Sequence, residues 1–476
     1  MASLTSLWFS AWQGRLRRAS HTSLRNKTVL TAFNAVVDKI IVYDVRKFHS
    51  FFAHFQPEHR SILRKSKTQL ARVDSPQALI STFIHAFKTG KAIHAPTNNE
   101  LLDFLAKNYS TGTSLGGQAG IIANQFALLG AMPILYTPQL SLQLAGLFSP
   151  RVKFPVSNKN SLSFNSVRHS VNADKAKINF IIEYKKGDVF KFAGSIYVAP
   201  RSNRIILSSP STTPPLFSTN LVHVLPELGE AVDAAIISGY HSLQPKYEDG
   251  TTFEYYLSLE ALYLEMLKSH KNVPIHVEYV STPFKEIDAA IYSHITKHVD
   301  SLGLNEIETI ELAEKLGFVK EARDIVKNEN AVTLHAAGEK IMQALKLRRL
   351  HIHNLGYHLI LLKKPVDGHK IAHQVNAALY GSLAATSRAL NGKEIARGDL
   401  ETALQIGVSE ITLHQMTRFA AHQSLSRHRA EHALLTGTFD VGNHVLLIVP
   451  GQVSPITRRT VGLGDVVSSC SFLAGL

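Results

Sequence analysis

The segment Gly462-Leu-Gly464-Asp465 could do chemistry by residue type and spacing alone. Two glycines one residue apart let the backbone turn tightly and present N–H groups where a helix begins. Those groups, with the helix dipole, form a site for an anion. Asp465 falls in the first turn, where a carboxylate can accept a proton from a hydroxyl. An anion hole beside a base suits phosphoryl transfer to an alcohol. A glycine turn followed by a capping Asp is the plainer reading of the same residues. The absence of a Gly-x-x-x-x-Gly-Lys-Ser/Thr segment argues against a P-loop nucleotide enzyme.

Other candidates are scattered along the chain. Asn34 and Asp38 lie four residues apart after an apolar run, and their amide and carboxylate suit the hydroxyls of a sugar; Asp38 alone could be a helix cap. Gly116, Gly117 and Gly120 permit close backbone approach to a ligand, or tight helix packing. His276 and Glu278 alternate on a strand and share a face. Glu278 and Glu308 are hard oxygen donors suited to Mg²⁺, mostly through water, although Glu308 could equally be a solvated carboxylate at a helix start. Lys185, Lys186, Arg201 and Arg204 could together hold phosphate groups, whereas any one of them alone reads as a surface charge.

Three patterns are set aside. His428-Arg-Ala-Glu-His432 has zinc-protease spacing, but the chain contains 24 His and only Asp440 and Asp465 follow as acids. His351 and His353 share a strand face without a third ligand and read as core or surface histidines. Cys470 lies among small residues and reads as packing.

These residues need a scaffold, and the composition bounds it. The 476 residues are 45% hydrophobic and 18% charged, enough for a large core and unlike a disordered chain. A balance of 51 Lys+Arg against 37 Asp+Glu gives a net charge of +14, which favours anionic partners. The charges are dispersed and no nucleic-acid motif carries them, so nucleic acid is not expected as a partner. One cysteine excludes an intrachain disulfide and fits a reducing cytoplasm. No apolar run reaches the ~18 residues of a membrane span. Residues 1–37 contain no acid and five Arg or Lys, as transit peptides do. Yet Leu4, Leu7, Trp8, Ala11, Trp12 and Leu16 fall on one helical face, so a docked helix is expected.

Apolar strand-length runs at Val29–Phe33, Ile134–Tyr136, Ala234–Ser238, Ile275–Val280, Tyr357–Leu362 and Val445–Val449 alternate with amphipathic stretches. This pattern predicts an α/β fold with a mostly parallel sheet covered on both faces. Ser75, Pro76 and Gly90 punctuate one helix; Gly117 and Gly130 bound another. Between Ser161 and Ser209, short strands separated by turns predict a small inserted antiparallel sheet, placed to act as a lid.

The phrase Thr460-Val-Gly-Leu-Gly-Asp465 resembles the catalytic signature of the ADP-dependent sugar kinases, the glucokinases and phosphofructokinases of the ribokinase-like superfamily. Four further segments resemble that family in the same order: Thr31-Ala-Phe-Asn-Ala-Val-Val-Asp38, Gly116-Gly-Gln-Ala-Gly120, His276-Val-Glu278 and Asn305-Glu-Ile-Glu308. The resemblance runs from about Val29 to the end.

It implies a ribokinase-like three-layer α/β/α large domain with a small, mainly β lid. The lid would span about 161–209 with segments near 34–45 and 90–115, within one kinase domain over 1–476. It implies transfer of the β-phosphate of ADP to fructose 6-phosphate, giving fructose 1,6-bisphosphate and AMP. The alternatives are a glucokinase or bifunctional enzyme, and a non-catalytic sugar- or nucleotide-binding protein. The implied roles are catalysis for Asp465, Gly462 and Gly464, and sugar binding for Asn34, Asp38, His94, Gly117, Gln118, Lys186 and Arg201. Arg204, His353 and Gly464 would hold the nucleotide, and Glu278 and Glu308 the Mg²⁺. The small-molecule partners would be ADP and a sugar or sugar phosphate, in a cytoplasmic monomer or small homo-oligomer with no membrane partner. Gly90-Lys-Ala-Ile-His-Ala-Pro96 resembles a family segment that carries Glu in glucokinases and a small apolar residue in phosphofructokinases at the position of His94. His94 matches neither, and Lys186 with Arg201 favours fructose 6-phosphate.

Overall fold

The computed structural model describes residues 2–52, 59–109, 111–158, 161–210, 213–280, 282, 284–458 and 461–476. The apolar runs assemble into one eleven-stranded sheet. From edge to edge it reads Thr438–Val441, His444–Pro450, Tyr357–Lys363, Arg349–Asn354, Ser301–Leu304, Ile275–Glu278, Ala234–Ser238, Thr28–Phe33, Met132–Tyr136, Lys153–Asn158 and Ser161–Ser166. The strands from Arg349–Asn354 to Lys153–Asn158 pair in parallel, and the flanking strands are antiparallel. Parallel strands feed helices that cover both faces, which is why most of their residues are apolar; the Ala234–Ser238 strand is buried at every position.

A second, five-stranded sheet gathers distant segments in the order Ile93–Pro96, Asn203–Ser208, Ile178–Tyr184, Val36–Val42 and Gly112–Gly116. Two expectations are corrected here. Ser161–Ser166 is not part of this sheet, because it folds back on Lys153–Asn158 as the edge hairpin of the large one. Nor is the second sheet purely antiparallel. Asn203–Ser208 runs parallel to Ile93–Pro96, and Val36–Val42 parallel to Ile178–Tyr184, because their partners arrive from elsewhere in the chain. Val189–Phe192 and Ser195–Val198 form a separate hairpin. The second sheet has its own apolar cluster, in which Phe48 stacks on Tyr109 at 4.4 Å and Phe83 on Phe190 at 5.6 Å.

Helix punctuation follows the sequence. Ser75 Oγ accepts from the Ala78 N–H, Pro76 opens the Pro76–Thr89 helix, and Gly90 closes it in the left-handed region. The Gln118–Leu129 helix runs between Gly117 and Gly130. No helix is long and apolar enough to cross a membrane among the described residues.

The N-terminal helix, Ala2–Ser20, lies on the body and packs on the long Gly368–Asn391 helix. Trp8, Trp12 and Leu16 are fully buried, whereas Leu7 is 54% exposed and falls off the docked face. The Trp12 Nε1–H donates to the Leu434 carbonyl at 3.0 Å, and its ring packs on Gly437, where a Cβ would come within 2.8 Å. Removing such a ring leaves a cavity at a site that cannot collapse. Trp12→Ala should therefore cost about 3–5 kcal/mol, read as a lowered urea midpoint by far-ultraviolet circular dichroism. An unchanged midpoint would mean that the helix contributes nothing to the body's stability.

Candidate active site

The carboxyl ends of the parallel strands and the start of the C-terminal helix, Leu463–Ala474, converge on one cleft of about 510 Å³. Gly462 precedes the helix at φ +75°, a left-handed conformation that favours glycine, and a Cβ there would press on Ile121 at 3.1 Å. Gly464 has no room for a side chain, because a Cβ would lie 2.8 Å from His353 Cε1. The first-turn N–H groups have no preceding carbonyl within the helix, so this end carries the dipole's positive pole. Thr460 lies outside the described residues.

Asp465 sits in that first turn, and its Oδ1 accepts a hydrogen bond from Gln118 Nε2 at 2.9 Å. Burial pushes its carboxyl above the usual range, opposed by the Gln118 hydrogen bond and by Arg388 and Arg204. The Gln118 side-chain Oε1 is buried with no hydrogen-bond partner among the described residues.

Glu278, at the end of its strand, is buried; its Oε1 accepts from His276 Nε2 at 2.9 Å. Burial, then Asp465, drive its carboxyl well above the ordinary value, with Glu308 adding to them. Glu308 stands in a capping box. The Asn305 N–H donates to Glu308 Oε2 at 2.8 Å, and the Glu308 N–H to Asn305 Oδ1 at 2.9 Å. Burial raises its carboxyl to about 8, with Asp465 contributing. The helix-start role and the cleft position therefore coexist. No group of three or more His, Cys, Asp or Glu could hold a metal directly among the described residues. His353 lines the same cleft, with burial lowering its imidazole to about 4.

The second sheet faces this cleft and sends Arg204 into it. Burial lowers the Arg204 guanidinium, while the charges of Glu183, Asp465 and Asp38 favour its ionised form. Asp38, expected just past a strand, lies within the Val36–Val42 strand and is buried. A donor chain ends on it: Asn179 Nδ2 donates to Asp38 Oδ1 at 3.1 Å, and Ser208 Oγ donates to Asn179 Oδ1 at 2.8 Å. Ser208 Oγ in turn lies 2.6 Å from His94 Nε2. With the serine proton given to Asn179, His94 must donate from Nε2, which leaves Nδ1 as an acceptor. The His94 residue is open to solvent, yet desolvation by the surrounding protein, with Lys177 and Arg204, lowers it to about 4.

Asn34 lines a small adjoining cavity with Lys177 and Gly239. Its carbonyl accepts from the Gly120 N–H at 3.3 Å, and Gly117, at φ +75°, approaches so closely that a Cβ would lie 2.4 Å from that oxygen.

Arg204, Glu278, Glu308, His353, Gly462, Gly464 and Asp465 thus line one cleft. Gln118 bonds to Asp465, and Asp38 with His94 forms the hydrogen-bonded chain above it. Lys186 is not brought to them. It is exposed at a turn, where its N–H donates to Ser202 Oγ at 3.0 Å. Arg201 is also exposed; its Nε donates to the Gly90 carbonyl at 2.6 Å, and its charge reaches Glu306. Sequence reasoning missed Lys177, lowered to about 8 by burial, and Arg388, fully buried in the long helix. The position of Lys177 just before a strand, two residues from Asn179 within it, was the available signal for the first; nothing local marked the second. His351 is in the core, and His428 and His432 are exposed on the Arg427–Thr436 helix.

Comparison with known proteins shows what the whole chain is similar to. Residues 27–474 match the family described as ADP-specific Phosphofructokinase/Glucokinase conserved region. The chain is 29% identical over 461 residues to the ADP-specific phosphofructokinase of Pyrococcus furiosus, covering 95% of this chain and 98% of that one. It is 25% identical to the ADP-dependent glucose/glucosamine kinase of the same organism, covering 98% of each. Among solved structures, an ADP-dependent kinase in complex with fructose-6-phosphate and ADPbetaS superposes with a TM-score of 0.84 at 29% identity, over 98% of this chain and 97% of that one. The last common ancestor of ADP-dependent phosphofructokinases from Methanosarcinales gives a TM-score of 0.78 at 30% identity, over 99% and 98%. The chain belongs to the ADP-specific phosphofructokinase/glucokinase family.

Proposed function

We propose that this chain transfers the β-phosphoryl group of ADP to the 1-hydroxyl of fructose 6-phosphate, releasing AMP and fructose 1,6-bisphosphate. The observation that carries the reading is Asp465 in the first turn of a helix, beneath Arg204 and beside Glu278 and Glu308 in one cleft. Asp465 takes the proton as the sugar oxygen forms its bond to phosphorus and the bond to the AMP oxygen breaks. Gln118 fixes the orientation of that carboxylate, and the N–H groups after Gly462 receive the charge that builds on the transferring phosphoryl oxygens. Arg204 and His353 are placed to meet the nucleotide, and Asn34, Asp38 and Gly117 the sugar. Lys177 takes the sugar-phosphate role first considered for Lys186, because it shares a cavity with Asn34 and its charge reaches His94.

Three carboxylates buried in one cleft, with Asp465 raising both Glu278 and Glu308, form a field that a divalent cation relieves, so the donor set fits Mg²⁺ held largely through water by Glu278 and Glu308. When bound, the cation neutralises phosphate charge. The second sheet, with its separate apolar cluster, forms the lid of a ribokinase-like fold and excludes water when both substrates are in place. The single, buried cysteine suits a cytoplasmic setting. A second reading has a specific observation behind it. The free acceptor at His94 Nδ1 can receive a sugar hydroxyl, which supports glucose as a weaker second substrate.

Asp465→Asn should reduce kcat by about 10²–10⁴-fold or more with sugar affinity nearly intact, because the base acts in the transition state. Near wild-type turnover would remove it from the mechanism. Glu308 is neutral below about pH 8 and ionised above it, so the Mg²⁺ concentration for half-maximal rate should fall as pH rises through 8. Glu308→Gln should raise that concentration and flatten the dependence; an unchanged titration curve would confine Glu308 to its capping role. For the acceptor, Lys177→Ala should raise KM for fructose 6-phosphate selectively while Lys186→Ala changes little, and His94→Glu should improve glucose use. Preference for glucose in the wild type, with Lys177→Ala silent, would put the glucokinase reading in its place.

A further inference from the structure

The parallel strands have a second end, and it holds a cavity that the proposed reaction leaves unused. At the starts of the Ser301–Leu304 and Arg349–Asn354 strands lies a space of about 1040 Å³, bounded by the start of the long helix and the end of the C-terminal helix. This exceeds the usual ~300–1000 Å³ of small-molecule sites. Its wall carries Lys346, Arg348, Arg349, Lys363, Lys364 and Lys370. Two acids, Asp300 and Asp367, share the lining. Asp300 is engaged by Lys268 Nζ at 2.7 Å, and Asp367 caps the long helix by accepting from the Lys370 N–H at 2.7 Å. Lys364 pairs with Asp440 at 2.5 Å, and Arg348 lies 3.7 Å from Asp300. The ammonium groups of Lys346, Lys363 and Lys370 have no acid partner among the described residues.

Arg349 is the built element of the site. It is 6% exposed, and its guanidinium donates only to neutral oxygens: Gln374 Oε1 at 3.1 Å, Ser301 Oγ at 3.1 Å and Ser471 Oγ at 2.8 Å. A buried cation satisfied this way has no salt-bridge partner at hydrogen-bond distance among the described residues; Glu278 offsets its charge only from the cleft side, and its other side meets the cavity.

Arg349 also leads elsewhere. Ser301 Oγ, which accepts from Arg349, lies 2.8 Å from His276 Nδ1, and His276 Nε2 lies 2.9 Å from Glu278 Oε1. With the carboxylate accepting, His276 donates from Nε2 and takes the serine proton at Nδ1, so every bond runs from the cavity toward the cleft.

We propose that this basal cavity binds a phosphorylated polyanion, and that its occupancy reaches the active-site carboxylates through Arg349, Ser301 and His276. The coupling rests on the kinase reading above; the binding does not. Compact oligophosphates match the clustered point charges of the lysines, and the apolar wall formed by Leu362, Val366 and Phe472 can seat a nucleoside attached to them.

The test is calorimetric titration of the full chain with inorganic triphosphate in Mg²⁺-free buffer, where both the cleft and the basal cavity should take up ligand. In the Lys363→Glu/Lys370→Glu variant, one of the two binding events should weaken about tenfold or more, a loss that matches removal of charge-assisted contacts. Both lysines are exposed, so the fold tolerates the change. Two events of unaltered affinity in the variant, or a single event in the wild type, would overturn the site. Tighter basal binding of ATP than of inorganic triphosphate assigns the apolar wall to a nucleoside, and equal binding assigns the site to the oligophosphate; both uphold it. In kinetics titrated over free Mg²⁺, with and without triphosphate, triphosphate should shift the half-saturating free Mg²⁺ in wild type, but not in the lysine variant, and less in Ser301→Ala. A shift that survives the lysine reversal refutes transmission from this cavity. Basal binding without any ADP-driven turnover would sink the kinase reading and leave the site standing.

Discussion

Asp465, Glu278 and Glu308 are buried in one cleft, and the charge of Asp465 makes both glutamates harder to ionise. Much of the surrounding structure is arranged around that repulsion. Gln118 donates to Asp465, His276 to Glu278, and the Asn305 backbone to Glu308. Behind them, Arg388 and Arg349 supply fully or nearly buried positive charge from the long helix and a strand start. The parallel strands place these groups because their carboxyl ends come level at one edge, where the loops can diverge. The C-terminal helix then brings its positive pole to the same point.

Two apolar clusters lie on either side of this convergence. The large sheet keeps the carboxylates in a fixed frame, whereas Arg204, Asp38 and His94 belong to the second sheet. Charge crosses between the two sheets as well as packing, since Arg204 interacts with both Asp38 and Asp465, while Val37 and Leu115 of the second sheet pack into the large core. A cation shared between carboxylates on the two sheets ties them together electrostatically at the cleft.

The sequence made some of this readable and hid the rest for physical reasons. Gly462-Leu-Gly464-Asp465 was legible because a turn, a helix start and an acid are local features, and the parallel strands because burial on both faces leaves unbroken apolar runs. His276 and Glu278 were legible because strand periodicity puts alternate residues together. The second sheet was legible only in part. Ile178–Tyr184 and Asn203–Ser208 are neighbours in sequence, but Val36–Val42, Ile93–Pro96 and Gly112–Gly116 join them across long separations that no periodicity records. Ser161–Ser166 has the same short-strand texture as its neighbours and differs only in its partner. Lys177 and Arg388 were missed because a cation's value in a site lies in what surrounds it, and that is settled by tertiary contacts.

The docked N-terminal helix has a spectroscopic consequence. Its Trp8 and Trp12 are the chain's two tryptophans, 6.2 Å apart between ring centroids and fully shielded from water. Neither lines the cleft or the basal cavity. The intrinsic indole emission of the whole protein therefore originates from one patch on the flank of the large sheet's core, and it reports the seating of the first twenty residues while remaining dark to events around the carboxylates.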